Sequence, residues 1–168
     1  MGRYRPPQPA SSKYITPEGK QRLVDEVDKL WKKKRPEVTR ALSAAAAEGD
    51  RSENAEYIYR KKELREIDAR VRYLRKRLDG IIVVDCIPEA QDRIYFGAWV
   101  RLEDSNGVEH VYRIVGPDEF DPARGYISMD SPMGKTLIGK SLDDEFTLKL
   151  PDGETRYAIT DISYEKIE

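Results

Sequence analysis

The sequence is poor in the residues from which a self-contained metal or redox centre is built. It has one cysteine, Cys86, and one histidine, His110, in 168 residues, which excludes an internal disulfide and a Cys/His zinc cluster within one chain. A reducing cytoplasm is the compartment that fits. No apolar run is long enough to span a membrane. The first residues, Met1 to Ser12, carry Arg3, Arg5, Pro6, Pro7 and Pro9 where a signal peptide would have its apolar centre. Net charge is almost absent as well, at −1, but the total hides a division. Residues 1–80 hold 21 Lys and Arg against 13 Asp and Glu, whereas residues 81–168 hold 9 against 18. A basic half is joined to an acidic half, and the basic one is the candidate for nucleic-acid contact.

Charged residues make up 36% of the chain and hydrophobic ones 39%, which suits helices solvated around most of their circumference beside a small globular domain. Residues 1–12, proline-rich and poor in apolar residues, are expected to be a flexible leader. Thr16 is placed to cap a first helix, with Pro17 at its first position and Glu18 near its positive end. Leu23, Val27 and Leu30 follow on one stripe that Trp31 widens, and Pro36 should kink or loosen the helix before Val38, Leu42 and the alanines 44 to 47 resume it. Gly49 stops this helix. In a second helix Tyr57, Leu64, Val71 and Leu78 occupy one heptad position, with Ile67 and Leu74 at the other. Two such helices joined by a short turn predict an antiparallel coiled-coil hairpin over residues 13–80, roughly 45 Å long.

After Gly80 the period changes. Ile81 to Val84, Trp99 to Leu102, Val111 to Val115, Tyr126 to Met129, Phe146 to Leu150 and Tyr157 to Ile162 have strand character. Ser105-Asn106-Gly107 is a hairpin turn, and Ser131-Pro132 suits the cap and first position of one short helix. Residues 81–168 are therefore expected to form a compact domain of antiparallel sheet against a short helix, making the whole chain α+β.

The predicted hairpin turn, Gly49 to Tyr57, presents Asp50 and Glu53 three residues apart. One explanation is local: Asp50 as N-cap and Glu53 at the third helical position would form a capping box. The other is chemical. Mg²⁺ often takes only one or two protein carboxylates and completes its octahedron elsewhere, so two carboxylates at the end of a thin hairpin suit a site that another macromolecule completes. Both explanations are open at this point. Arg60, Lys61, Lys62 and Arg65 follow close to the turn and suit phosphate contact, whereas the more distal cations also fit a solvated coiled-coil face. Tyr57 and Tyr59 suit base stacking or hairpin packing. His110 and Cys86 read as structural.

Three stretches, Gly49-Asp50-Arg51-Ser52-Glu53-Asn54-Ala55-Glu56-Tyr57, Leu64 to Leu74 and Ile127-Ser128-Met129-Asp130-Ser131-Pro132, together resemble the bacterial Gre transcript-cleavage factors. Arg35-Pro36-Glu37-Val38-Thr39, Arg51-Ser52 and Phe96-Gly97-Ala98-Trp99-Val100 resemble the GreB branch more than the GreA branch. The resemblance implies a coiled coil that enters the secondary channel of RNA polymerase and a C-terminal domain of FKBP-like fold that binds the polymerase. It implies an accessory factor, not an enzyme: Asp50 and Glu53 act in trans, holding Mg²⁺ shared with the polymerase while backtracked nascent RNA is hydrolysed. Arg60, Lys61, Lys62 and Arg65 would guide the extruded RNA, and Asp130, Ser131 and Pro132 would lie on the polymerase-binding surface. No cofactor would be tightly bound to the free chain, and a monomer is expected. The alternative is a modulator that occupies the same channel without promoting cleavage.

Overall fold

The computed structural model describes residues 10–49, 53–151 and 153–167. These residues divide into two compact units, one made of 20–81 and one that joins the segment up to residue 19 to residues 82 onward. Residues 13–19, expected in the hairpin, thus belong with the sheet. No helix among the described residues is long and apolar enough to cross a membrane.

In the helical unit, α1 (Pro17–Asp28) continues through a π-helical segment, Lys29–Lys34, into α2 (Arg35–Ala46). The loosening expected at Pro36 takes this form: proline has no N–H and its ring crowds the carbonyl one turn back, and a wide turn just before it relieves both. The return helix α3 (Ala55–Gly80) is 26 residues long. Val38 packs with Ile67 and Val71, flanked by Leu30 and Leu64, and Leu74 is fully buried. These are the predicted heptad positions. Pairs across the seam run in opposite directions along the chain, with Glu26 on Arg70 at 2.7 Å, Arg35 on Asp68 at 2.8 Å and Ala45 on Asn54 at 2.8 Å. The helices are therefore antiparallel.

In the other unit, five strands form one sheet in the order β5-β4-β3-β7-β6. They are β3 (Trp99–Asp104), β4 (Glu109–Val115), β5 (Tyr126–Ser128), β6 (Glu145–Leu150) and β7 (Gly153–Ser163). The sheet is mixed rather than purely antiparallel, because β5 runs parallel to β4. The physical reason is the connection 116–125: two short 3₁₀ turns, Pro117–Glu119 and Pro122–Arg124, carry the chain back before it re-enters the sheet, and a parallel neighbour requires such a return. A second small sheet, unforeseen from sequence, pairs β1 (Tyr14–Ile15) with β2 (Ile82–Val83) in parallel.

Alternate residues of the strands, among them Val100, Leu102, Ile114, Leu148 and Ile159, bury one face of the sheet with Leu137 of the short helix α4 (Pro132–Leu137). Gly134 lets α4 approach β5, since a β-carbon there would stand 2.2 Å from the Ser128 carbonyl oxygen. Glu119 is 2% exposed and is one of two buried polar residues among those described. It accepts bonds from the Thr16 and Gly116 amides, each at 3.0 Å, and from the Thr16 hydroxyl. Thr16 in turn accepts from the Gly19 amide at 3.0 Å, so it caps α1 as expected while Glu119 holds the cap from behind.

Candidate functional site

The hairpin turn is set by its second half. Gly49 takes φ +127°, a conformation open to glycine and strained for other residues. Asn54 is the N-cap of α3: its side-chain oxygen accepts the Tyr57 amide at 3.0 Å. Its amide nitrogen donates to the Ala45 carbonyl at 2.8 Å, satisfying an acceptor at the end of α2. One side chain thus terminates α2, starts α3 and ties the two together.

This corrects the local explanation of the two carboxylates. With Asn54 as cap, Glu53 precedes the helix and is not the third helical residue that the capping-box explanation requires. Glu53 lies in the turn with its side chain exposed. Asp50, the other predicted carboxylate, lies outside the described residues, as do Arg51, Ser52 and leader residues 1–9. Among the described residues no group of three or more His, Cys, Asp or Glu comes together as a metal site. Glu53 is thus an exposed carboxylate in the described part of the turn, as is Glu48, and such a carboxylate fits a hard cation whose other ligands come from elsewhere.

The predicted basic patch is unequal in character. Arg60 is half-buried and lies between two acids, 2.7 Å from Glu56 and 2.9 Å from Glu63. The bonds it donates to Glu56 and Glu63 push its pKa up, and the bond to Glu63, with Lys34 adding to it, holds Glu63 below the usual carboxylate range. Its charge is largely spent within the hairpin. Lys61, Lys62 and Arg65 are exposed. Lys61 stands 5.5 Å from the centre of the Tyr57 ring, Lys62 makes a long pair with Glu66 at 3.8 Å, and Arg65 has no ion pair with a described residue. Tyr59 is 58% exposed, with Arg60 over its ring.

Asp130, Ser131 and Pro132 each have a local task. Ser131 caps α4, accepting from the Gly134 amide at 3.0 Å and donating to the Ser128 carbonyl at 2.6 Å, and Pro132 opens the helix. The Asp130 carboxylate accepts the Ser12 amide at 2.8 Å through one oxygen and the Ser12 hydroxyl through the other. The segment preceding β1 is therefore fastened to this motif, and no local pattern around Ser12 signals it. His110 is 3.2 Å from Asp104 and stacks parallel to Tyr112, a structural setting for a lone histidine.

Comparison with known proteins covers both units. Residues 13–83 match the family model described as transcription elongation factor, N-terminal, and residues 89–164 match that of transcription elongation factor GreA/GreB, C-terminal. The chain is 55% identical to transcription elongation factor GreB of Xanthomonas axonopodis pv. citri, over 99% of this chain and 100% of that protein. It is 56% identical to transcription elongation factor GreB of Pseudomonas aeruginosa, over 98% of each. Among solved structures it is similar to the GreA factor homolog 1 (Gfh1) protein of Thermus thermophilus, with 25% identity, a TM-score of 0.41, and 90% of this chain and 99% of that one covered.

Proposed function

Since this chain belongs to the GreA/GreB family of transcription elongation factors, on its GreB branch, we propose that it stimulates the cleavage of backtracked nascent RNA by RNA polymerase. The coiled coil enters the secondary channel of the polymerase, in the cytoplasm and as a monomer, and brings Asp50 and Glu53 to the polymerase's own active site. The observation that carries this reading is the exposure of Glu53 outside the helix cap. Helix capping, the competing use for an acid at this spacing, is performed by Asn54. A carboxylate kept exposed at a turn, bonded to no described residue, is available to a partner.

Two carboxylates on a thin hairpin do not make a hydrolase by themselves, so the polymerase completes the site. Asp50 and Glu53 would be the chain's ligands to Mg²⁺, which when bound supplies Lewis-acid activation of the attacking water. Glu53 can also accept a hydrogen bond from that water and so orient it. Lys61, Lys62 and Arg65 offer charge to the phosphates of the extruded strand beside the turn. Asp130, Ser131 and Pro132 serve as the docking motif of the sheet unit.

The test is RNA shortening in a purified backtracked elongation complex with Mg²⁺, comparing the wild type with Asp50→Ala and Glu53→Ala at saturating factor. Loss of stimulation with retained polymerase binding is expected. Undiminished stimulation by either variant removes that residue from the mechanism, and a wild type that binds without stimulating cleavage makes the chain a channel-occupying modulator. Glu53→Gln should also leave unfolding stability within about 0.5 kcal/mol, the usual range for a surface position.

A further inference from the structure

The five-stranded sheet ends on one side in β5, three residues long, and on the other in β6. β6 pairs with β7 in unbroken register from Glu145↔Ala158 to Leu150↔Gly153. Just ahead of it the Ile159 amide donates to the Asp144 carbonyl at 3.0 Å, so Asp144 turns its backbone toward β7. Backbone direction alternates along an antiparallel strand. Phe146 and Leu148 therefore bond inward to β7, while Glu145, Thr147 and Lys149 turn their N–H and C=O groups outward. No described residue bonds those outward groups.

An uncovered edge is a template for a further strand, and proline or a bulge commonly blunts it. β6 contains no proline and no shift of register. Its sequence, Glu145-Phe146-Thr147-Leu148-Lys149, is instead complementary to itself when read in the opposite direction. Turned antiparallel about Thr147, Glu145 meets a second copy's Lys149, Lys149 meets its Glu145, and Thr147 meets Thr147. These are the residues whose backbones turn outward, so each facing pair exchanges both of its bonds. On the other face Phe146 meets Leu148, both buried in their own chain's core, and the apolar layer continues across the edge. Within one chain Glu145 pairs with Arg156 and Lys149 with Glu154 on the solvent side, so the alternation of sign carries on into the second copy. An axis placed on Glu145 or Lys149 would set like charges opposite each other, which specifies the register.

We propose that two copies of this chain associate through β6, antiparallel about Thr147, into one continuous sheet. Such a contact uses the same patch on both copies and closes on itself, giving a pair and not a fibre. It is narrow and built mainly on backbone, which places it among the weak, reversible interfaces. The pair is a form of the free chain at high concentration and goes beyond the function proposed above, in which the polymerase-bound chain is a monomer.

The experiment is sedimentation equilibrium of the full chain over a wide range of concentration. The mean mass of the wild type is expected to rise toward that of two chains. Thr147→Pro leaves the bonds to β7 intact, because the N–H it removes points outward. It should weaken association roughly thirtyfold, since each copy loses one hydrogen bond to the other. Glu145→Lys and Lys149→Glu, each alone, should weaken self-association roughly tenfold by setting like charges opposite. Mixed together, these two variants should associate at least as well as the wild type, because every facing pair is then of opposite sign. Adding Thr147→Pro to both should dissolve that mixed pair. A wild type that stays monomeric at the highest attainable concentration overturns the proposal, as does association that Thr147→Pro leaves unchanged. Charge variants that stay apart on mixing rule out the register about Thr147 and overturn it as well. These measurements contain no polymerase, so failure of the cleavage function leaves them intact, and their failure leaves cleavage untouched.

Discussion

The side chain of Asn54 accepts the Tyr57 amide and donates to the Ala45 carbonyl, so a single amide group serves both ends of the hairpin turn. The two functions separate by substitution. Asn54→Ala removes cap and link and should cost roughly 2 kcal/mol, whereas Asn54→Asp keeps the cap, loses the donor to Ala45 and should cost about half of that. Urea unfolding followed by the helical circular dichroism signal measures both. An Asn54→Asp variant as unstable as Asn54→Ala would show that the link, and not the cap, holds the turn.

Glu119 is a buried acceptor for Thr16 and Gly116. Glu119→Ala leaves two backbone amides without partners and should cost about 2–5 kcal/mol. Gly19→Ala should also destabilise, because its new methyl group would lie 2.1 Å from a Glu119 carboxylate oxygen. In the double variant the clash is gone, so its cost should be less than the sum of the two single costs. Unfolding monitored by Trp99 emission in a Trp31→Phe background gives the cycle.

The Asp104 carboxylate is held below its ordinary range, chiefly by the amide bond from Val108 at 3.0 Å and then by that from Asn106 at 2.8 Å, with His110 adding to both. A folded pKa that is depressed stabilises the fold above the unfolded value, about 3.9 for aspartate, and that stability is lost as pH falls through the folded value. Wild type should therefore exceed Asp104→Asn in stability at neutral pH, and the difference should vanish in acid. Amide exchange at Val108 across the acidic range checks this at the residue itself.

Ser12 occupies both oxygens of Asp130. If Asp130 docks on the polymerase, as proposed, that contact has to exchange Ser12 for the partner. Ser12→Ala removes the hydroxyl bond to Asp130 and should tighten polymerase binding by up to about fivefold, the equivalent of about 1 kcal/mol. Weaker binding instead would mean that Ser12 and Asp130 act together to shape the surface.

Features carried by local chemistry or by helical period were legible in the sequence. Thr16 caps α1 and Ser131 caps α4 at the predicted positions, and Ile67, Val71 and Leu74 fall on the predicted seam. What escaped depends on distant partners. Asp50, Ser52 and Asn54 are all good cap residues, and only the reach of Asn54 to Ala45 selects it. Glu119 has one local donor, the Gly116 amide, but the amide and hydroxyl that complete its burial come from Thr16 on a remote segment. The parallel course of β5 depends on how far the connection 116–125 turns back, which strand character does not encode. At the candidate site the carboxylates and cations were legible as residue types, but that Arg60 is neutralised by Glu56 and Glu63 emerged only from geometry.

The π-helical segment at Lys29–Lys34 takes up more chain per turn than the α-helices on either side. Angular setting along this arm is therefore encoded in residue number as well as residue type. Deleting one lysine from Lys32–Lys34 along with a return to α-helical pitch would leave that setting nearly unchanged, whereas closing the segment to α-helical pitch with all its residues in place would swing everything from Arg35 to the turn by about 100° around the axis of α1. The arm would still be a helix of almost the same length, with its acidic end aimed at the wrong quarter of the compass.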